Sequence, residues 1–281
     1  MSREHRPELV RDMCTERFAW REAGSADSPT VLLLHGLGGS RLSWEPQLEA
    51  LSSSFRVVAW DLPGYGDTPA LLDGNAPAVL TFGLLVGAVS DLIHDLGCQR
   101  VHLAGISFGG MIAQYVAVHR PDLVRSLSLL ATSAKFGQDG TNPGVWRATR
   151  LAQLDEGKQP ADFADAVLTR LAGPSITPLA MAQQRAAMSR ISAEALRRSL
   201  DCLITHDSRS QLAAITAPTQ CLVGDLDDET PIEYARYLAE HIPNARLEII
   251  SGAGHLLNAE APEIVNELLG EFFALVEATP L

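Results

Sequence analysis

The 281-residue sequence has little of several features that mark specialised classes of protein. Its four cysteines form no C-x-x-C pair, so we expect buried, reduced thiols and no disulfide framework. Lysine and arginine number only 22 against 34 acidic residues, and the net charge of −12 argues against a nucleic-acid partner. No apolar run approaches the ~20 residues of a membrane span, and the opening MSREHRPELV lacks the apolar core of a signal peptide. These absences predict a cytoplasmic protein that binds neither nucleic acid nor membrane, and they leave the oligomeric state open.

Short, continuously apolar runs stand out in a sequence that is 46% hydrophobic and 20% charged. Each run is too short for a helix and apolar on both faces, which is typical of buried strands in a parallel sheet. The six runs are residues 31–34, 57–60, 101–104, 127–130, 220–223 and 247–250. A weaker alternation over residues 17–22 predicts an antiparallel strand at the edge of the same sheet.

Segments with helical periodicity lie between these runs, over residues 40–51, 80–96, 108–119, 231–242 and 262–275. Alternating strands and helices predict a doubly wound, mostly parallel α/β sheet, because parallel neighbours need crossover connections. The alternation breaks between residues 137 and 207, where the pattern is helical only. We therefore predict a core domain of residues 1–136 and 208–281, with residues 137–207 forming a helical cap over the site.

The motif GISFGG, residues 105–110, carries the strongest chemical signal. It joins a predicted strand to a predicted helix, which is the context of a G-x-S-x-G nucleophile elbow. The sharp turn places Ser107 in a strained conformation, and Gly105 and Gly109 avoid collisions with neighbouring backbone. The turn also lifts the hydroxyl above the sheet at a helix N-terminus, where developing negative charge is favoured. Ser107 is therefore the predicted nucleophile.

A serine nucleophile needs a base, and the base needs an orienting acid. After a nucleophile elbow the order along the chain is acid and then histidine, so four histidines qualify by position: His119, His206, His241 and His255. Only His255 follows the last apolar run, and loops at the carboxyl ends of parallel strands are where α/β sheets place their sites. We predict His255 as the base.

The loop after the run 220–223 contains four carboxylates, so spacing must choose the acid. Asp227 lies three residues after the strand-ending glycine, in a position to reach the loop of the next strand. We predict Asp227 as the acid and keep Asp225 as the alternative. Asp228 and Glu229 are expected to serve the N-terminus of the following helix.

A tetrahedral oxyanion requires backbone N–H donors that are already in place. The residue after the nucleophile, Phe108, should supply one donor. The second should come from the loop HGLGGS, residues 35–40, whose glycines let the chain pass close to a substrate. We predict the Leu37 N–H for this role, and we interpret His35 as a residue that holds the loop.

Five segments in this order, HGLGGS, AWDLPGYGDTP, GISFGG, VGDLDDETP and GAGH, resemble those of α/β-hydrolase fold proteins over nearly the whole chain. The surroundings of the motifs, such as GISFGGMIAQYVAVHRPDLVRSLSLLATSAKFG, are most similar to 3-oxoadipate enol-lactonases and related esterases. Proteins of that group carry a helical cap, which matches the predicted insertion. The resemblance implies an α/β-hydrolase fold and hydrolysis of a small-molecule ester or lactone.

The resulting hypothesis is a serine hydrolase that cleaves a carboxylic ester or lactone through an acyl-serine intermediate, with no metal or organic cofactor. Substrate choice should depend on the cap, where Trp146, Arg147 and Arg150 are candidates by position to bind an acidic substrate. Two alternatives remain open. A C–C bond hydrolase of ring-cleavage products would use the same triad, and a ligand sensor would retain the triad with little turnover.

Overall fold

The computed structural model describes residues 10–279. The opening segment MSREHRPELV, for which we predicted no signal-peptide core, lies outside the described residues except for its last residue. Eight strands form one sheet in the order β1-β2-β4-β3-β7-β8-β9-β10, and β5 and β6 form a separate small ribbon. The strands are β1 Arg11–Cys14, β2 Ala19–Ala23, β3 Thr30–Leu34, β4 Arg56–Trp60, β5 Leu72–Asp73, β6 Ala76–Pro77, β7 Val101–Ile106, β8 Val124–Leu130, β9 Thr219–Gly224 and β10 Arg246–Ile250.

Within the eight-stranded sheet, the neighbouring strands β4, β3, β7, β8, β9 and β10 are all parallel, and only the pairs β1–β2 and β2–β4 are antiparallel. All six apolar runs are strands, and the predicted mostly parallel sheet is confirmed. The expectation that the strand near residues 17–22 forms the edge is wrong, because β1 pairs outside β2. All four residues of β1 are exposed, so no apolar pattern marked it. Ion pairs such as Arg21 with Asp12 and Arg11 with Glu22 join β1 to β2.

Ten α-helices occur in the described residues. They are α1 Glu45–Leu51, α2 Phe82–Asp95, α3 Phe108–His119, α4 Pro143–Asp155, α5 Pro160–Leu171, α6 Pro178–Met188, α7 Ala193–Leu203, α8 Ile232–His241, α9 Leu257–Glu260 and α10 Pro262–Ala278. Alternate residues of β3 enter different cores: Leu32 and Leu34 pack with α2 and α3, whereas Val31 and Leu33 pack with α1 and α10. Helices therefore cover both faces, and burial of each such side chain contributes about 1.5–3 kcal/mol.

Four helices, α4 to α7, lie between β8 and β9, and we call residues 143–203 the helical insertion. Asn142, Thr177 and Ser192 cap α4, α6 and α7 by accepting a backbone N–H of the first turn. The insertion contacts loops at the carboxyl edge of the sheet, where Ile191 pairs with Tyr65. The division of the chain into a core domain and a cap at residues 137 and 207 stays a prediction.

Two further findings concern the cysteines and the membrane-spanning length of the helices. Cys202 and Cys221 are buried as expected, but Cys14 is exposed, because it lies on the outer strand β1. Within residues 10–279, no helix is both long enough and apolar enough to cross a membrane.

Candidate active site

Ser107 forms the turn between the end of β7 at Ile106 and the start of α3 at Phe108. Its φ of 53° and ψ of −118° are strained for a residue with a side chain. A Cβ atom on Gly105 would lie 2.3 Å from the carbonyl oxygen of Gly109, and one on Gly109 would lie 2.2 Å from that of Leu34. Only glycine fits at both positions, so the sequence motif and the sharp turn require each other.

His255 and Asp227 meet in loops that follow β10 and β9, although 28 residues separate them in the sequence. The His255 Nδ1 lies 2.9 Å from Oδ2 and 3.1 Å from Oδ1 of Asp227. Because an ionised carboxylate only accepts hydrogen bonds, Nδ1 carries the proton and Nε2 is left as the acceptor. Asp227 also accepts the backbone N–H groups of Glu229 and Thr230, both at 2.9 Å, and the Thr230 hydroxyl at 2.7 Å. These donors fix the carboxylate against the imidazole.

Burial and charge act in opposite directions on this pair. Burial lowers the pKa of His255, but the Asp227 carboxylate, assisted by Glu229, raises that pKa above its ordinary value. Burial raises the pKa of Asp227, yet the His255 ring and the bonds from Thr230 bring it below its ordinary value. The pair therefore favours an ionised carboxylate beside an imidazole that readily accepts a proton.

Asp225, the alternative acid, points elsewhere. Its carboxylate accepts the Ser251 hydroxyl at 3.0 Å and the Gly252 N–H at 2.6 Å. These bonds join the loop after β9 to the loop after β10, at residues that precede His255 in the chain. Asp225 therefore holds the two loops together, and Asp227 is the carboxylate that contacts the histidine.

The loop that carries His255 is fixed to the helical insertion through a shared side-chain acceptor. One oxygen of the buried Glu260 carboxylate accepts the N–H groups of Gly254 and Gly173, both at 2.8 Å, and the other accepts that of Leu256 at 2.9 Å. Three donors compensate a carboxylate that is only 6% exposed. Sequence analysis did not single out Glu260, since a lone glutamate between a predicted strand and a predicted helix carries no signal.

The predicted oxyanion donors belong to the two segments next to Ser107, the start of α3 and the loop of residues 35–40. Phe108 is the first residue of α3, so its N–H has no acceptor within the helix. Leu37 lines the same cavity as Ser107, and a Cβ atom on Gly36 would lie 3.3 Å from the Ser107 Cβ. His35 holds this loop as expected, because its Nδ1 donates to the Gly36 carbonyl at 2.8 Å and its Nε2 accepts the Leu62 N–H at 3.0 Å. Burial lowers the pKa of His35 and keeps the ring neutral.

A cavity of about 340 Å³ lies between the sheet and the helical insertion. Ser107, His255 and Leu37 line it from the sheet side, while Asp227 lies behind His255. Most of the wall supplied by the insertion is apolar, including Phe163, Val167, Leu168, Leu196 and Leu200. The arrangement can hold a mostly apolar small molecule against a serine hydroxyl. Within residues 10–279, no group of three or more His, Cys, Asp or Glu could hold a metal ion.

The structure separates the candidate binding residues of the cap. Trp146 lines the cavity, but Arg147 is not among its lining residues and pairs with Asp201 on the outside, so that expectation is wrong. Neighbouring residues of a helix point about 100° apart, so Trp146 can face the cavity while Arg147 faces away from it. Arg150 does line the cavity, stacked over the Trp146 ring at 4.3 Å.

Glu229 also differs from expectation. Its carboxylate lines the cavity and pairs with Arg150 at 3.3 Å and Arg170 at 2.5 Å, and it does not cap α8. Arg170 was absent from the sequence analysis altogether. The partners are 79 and 59 residues from Glu229, and only the folding of the insertion over the sheet brings them together.

Comparison with known proteins agrees with this fold. The model of the alpha/beta hydrolase family matches residues 31–268. A protein of Stutzerimonas stutzeri provisionally named as the carbamate hydrolase RutD is 30% identical over 88% of this chain and 92% of its own. Pimeloyl-[acyl-carrier protein] methyl ester esterase of Chromobacterium violaceum is 32% identical over 81% of this chain and 87% of its own. The crystal structure of the enol-lactonase from Burkholderia xenovorans LB400 superposes with a TM-score of 0.80 at 26% identity, covering 92% of this chain and 97% of that one.

The chain belongs to the alpha/beta hydrolase family. The resemblance noted in the sequence is thereby confirmed at the level of the family. Proteins similar to this chain include enzymes named as esterases and lactonases.

Proposed function

We propose that the protein is a serine hydrolase that cleaves a carboxylic ester or lactone through an acyl-serine intermediate. The observation that carries the proposal is the placement of Ser107, on a strained elbow, in one cavity with a histidine whose Nδ1 is held by a buried aspartate. Activation of a serine hydroxyl requires a base in the correct tautomer, and this pair supplies one.

In the first half-reaction the Ser107 oxygen attacks the substrate carbonyl carbon, and His255 Nε2 takes the hydroxyl proton. The tetrahedral intermediate collapses, the bond to the leaving oxygen breaks, and His255 returns the proton to that oxygen. In the second half-reaction His255 removes a proton from water, which attacks the acyl-serine and releases the acid. Asp227 stays ionised throughout and stabilises the imidazolium that forms twice in each cycle.

The N–H groups of Leu37 and Phe108 are the proposed donors to the oxyanion. Donors that are fixed before reaction need no reorganisation when charge develops on the carbonyl oxygen, and each is typically worth about 3–4 kcal/mol in the transition state. The N-terminus of α3 adds its dipole at the same point.

The relatives support this reaction class, because the esterase of Chromobacterium violaceum and the enol-lactonase of Burkholderia xenovorans are named for ester and lactone cleavage. A carbamate, as in the name of the Stutzerimonas relative, would react at the same carbonyl carbon. The alternatives of C–C bond cleavage and ligand sensing remain outcomes of a substrate screen. The screen should contain an aryl ester, an enol-lactone, a carbamate and a vinylogous diketone.

The direct test is turnover of an activated aryl ester, 4-nitrophenyl butyrate, by Ser107→Ala and His255→Ala. Each variant should lose about 10³-fold or more in kcat, because members of a triad act as a unit. Ser189→Ala and His241→Ala, which change an exposed serine and an exposed histidine, serve as matched controls and should retain the rate of the unmodified protein. Turnover near the unmodified rate in either triad variant would refute the assigned roles. Slow turnover of every substrate, unaffected by Ser107→Ala, would favour the sensor.

A further inference from the structure

We infer that Arg150 and Arg170 form a carboxylate-binding subsite in the cavity, so that the preferred substrate carries an acid group in addition to the scissile ester or lactone. The inference rests on the proposed function, since it assigns the substrate class of the same cavity. It is supported by the two arginines that pair with the single carboxylate of Glu229 and by the position of all three side chains at the cavity.

Two arginines from different helices of the insertion share one carboxylate. Arg150 Nη2 of α4 lies 3.3 Å from Oε1 of Glu229, and Arg170 Nη1 of α5 lies 2.5 Å from Oε2. Two positive charges on one negative charge leave this cluster with a formal charge of +1.

Three other arginines of the insertion each pair with a carboxylate of their own, whereas Arg190 shares Asp67 with Arg41. Arg147 pairs with Asp201, Arg185 with Asp165 and Arg197 with Asp155. These pairs lie on the exterior, because none of their residues lines the cavity. The excess positive charge at Glu229 therefore lies at the cavity, on the half-buried Arg150 and on Arg170, whose side chain is 52% exposed and also reaches solvent.

The charges of the whole cavity lead to the same conclusion. Its lining contains three cations, Lys135, Arg150 and Arg170, and two carboxylates, Asp139 and Glu229. The formal balance of these five lining groups is +1 in a protein whose net charge is −12, and the ionised Asp227 lies behind His255. Cations on the low-dielectric wall of a cavity attract an anion locally.

The Arg150 guanidinium is held in place and lacks full compensation. Its stacking over Trp146 fixes the plane of the group. Burial lowers the pKa of Arg150, and the nearby Arg170 lowers it further, whereas Glu229 acts in the opposite direction. Only one terminal nitrogen of each guanidinium bonds to Glu229, and each group has five N–H donors in a fork that matches a carboxylate.

Glu229 sets the position of the subsite relative to the triad. Its carboxylate lies between the two arginines, and its backbone N–H donates to Asp227 Oδ1 at 2.9 Å. The arginines are therefore anchored to the same loop as the acid that orients His255. Apolar side chains such as Val167 and Leu200 line the cavity as well and suit a methylene spacer between the two acid groups.

The test uses two matched series of 4-nitrophenyl esters. One series comprises half-esters of straight-chain dicarboxylic acids with two to five methylenes, and the other replaces the remote carboxylate by a carboxamide of equal size. The unmodified protein should favour the charged ester, at its best chain length, by about 10-fold or more in kcat/KM, because a charge-assisted pair replaces a neutral one.

Arg150→Gln and Arg170→Gln should each lower kcat/KM for the charged ester by about 10- to 100-fold. The same variants should lower kcat/KM for the carboxamide series by a smaller factor, so that the ratio of the two kcat/KM values reports the loss of the carboxylate contact and the remaining turnover reports that the protein is folded. Arg147→Gln, a change on the same helix but outside the cavity, is the matched control and should leave both series unchanged. If a glutamine variant does not fold, competition in the unmodified protein replaces it: a free dicarboxylate should inhibit more strongly than its monoamide.

The subsite is overturned if no chain length favours the charged ester, or if the preference survives in both arginine variants. Equal inhibition by dicarboxylate and monoamide would also overturn it. Failure of the proposed function has a different signature, namely cleavage of both series that persists in Ser107→Ala.

Discussion

The backbone N–H of His255 donates to the carbonyl oxygen of Leu171 at 3.0 Å. Leu171 is the last residue of α5, so the candidate base is bonded directly to the helical insertion. Glu260 reinforces the connection by accepting the N–H groups of Gly173 and Gly254 on one oxygen. The insertion therefore helps to set the height of the imidazole above the sheet as well as lining the cavity.

Replacement of Glu260 by glutamine tests this connection. The amide keeps one acceptor oxygen but loses the charge, and its NH2 group would face a backbone N–H. We expect the free energy of unfolding to fall by about 1–3 kcal/mol in urea titrations, because buried donors lose their acceptor. The kcat for an aryl ester should fall with little change in KM, since the loop carrying His255 is less well fixed.

Glu263→Gln is the control for this change, because Glu263 is exposed in the first turn of α10. It should alter neither stability nor kcat appreciably. Equal effects of the two substitutions would remove Glu260 from its positioning role.

A methyl group at Gly109 tests the geometry of the elbow. In Gly109→Ala the new Cβ would lie 2.2 Å from the Leu34 carbonyl oxygen, a contact that only movement of the backbone can relieve. We expect loss of activity together with a lower melting temperature. Gly87→Ala is the matched control, because no atom lies within 4 Å of the added Cβ and the position is exposed in α2. There alanine should raise stability by about 0.5–1 kcal/mol through helix propensity.

The pH dependence of kcat/KM tests the coupling of His255 to Asp227. The proposed base is active only when neutral, so kcat/KM should fall as the pH drops through a pKa above the ordinary value of 6.5. Asp227→Asn removes the charge that raises this pKa. The acidic limb should then move to lower pH, and the plateau should fall by about 10³- to 10⁴-fold. Asp225→Asn should leave the limb in place, and an unshifted limb in Asp227→Asn would contradict the pairing.

Local pattern predicted the central part of the fold well. The helix over residues 108–119 and the strands that contain the six apolar runs follow from hydrophobic periodicity. That periodicity is set by residues close together in the sequence. β1 was missed because its residues are all exposed, and it is held by pairing with β2 and by ion pairs. The four-residue helix α9 was missed because it has only about one turn, and a helical repeat can be recognised only over several turns.

For the candidate site, the sequence was informative where chemistry restricts residue type. Gly105, Ser107 and Gly109 stand at fixed spacing because the turn admits no alternative. Glu229 was misassigned, since its role depends on Arg150 and Arg170, which reach it only after the insertion has folded over the sheet. Arg147 and Arg150 of α4 look alike in a sequence and are both half-buried, and only the position of the cavity in the folded chain separates them.

The central claim is that Ser107 is the nucleophile that His255 activates, and covalent labelling tests it most directly. Treatment with a fluorophosphonate, followed by intact-mass and peptide mass spectrometry, should show one adduct on the peptide that contains Ser107. Labelling should be absent in Ser107→Ala and much slower in His255→Ala, while His241→Ala should label at the unmodified rate. Labelling of a different residue, or undiminished labelling in Ser107→Ala, would contradict the account.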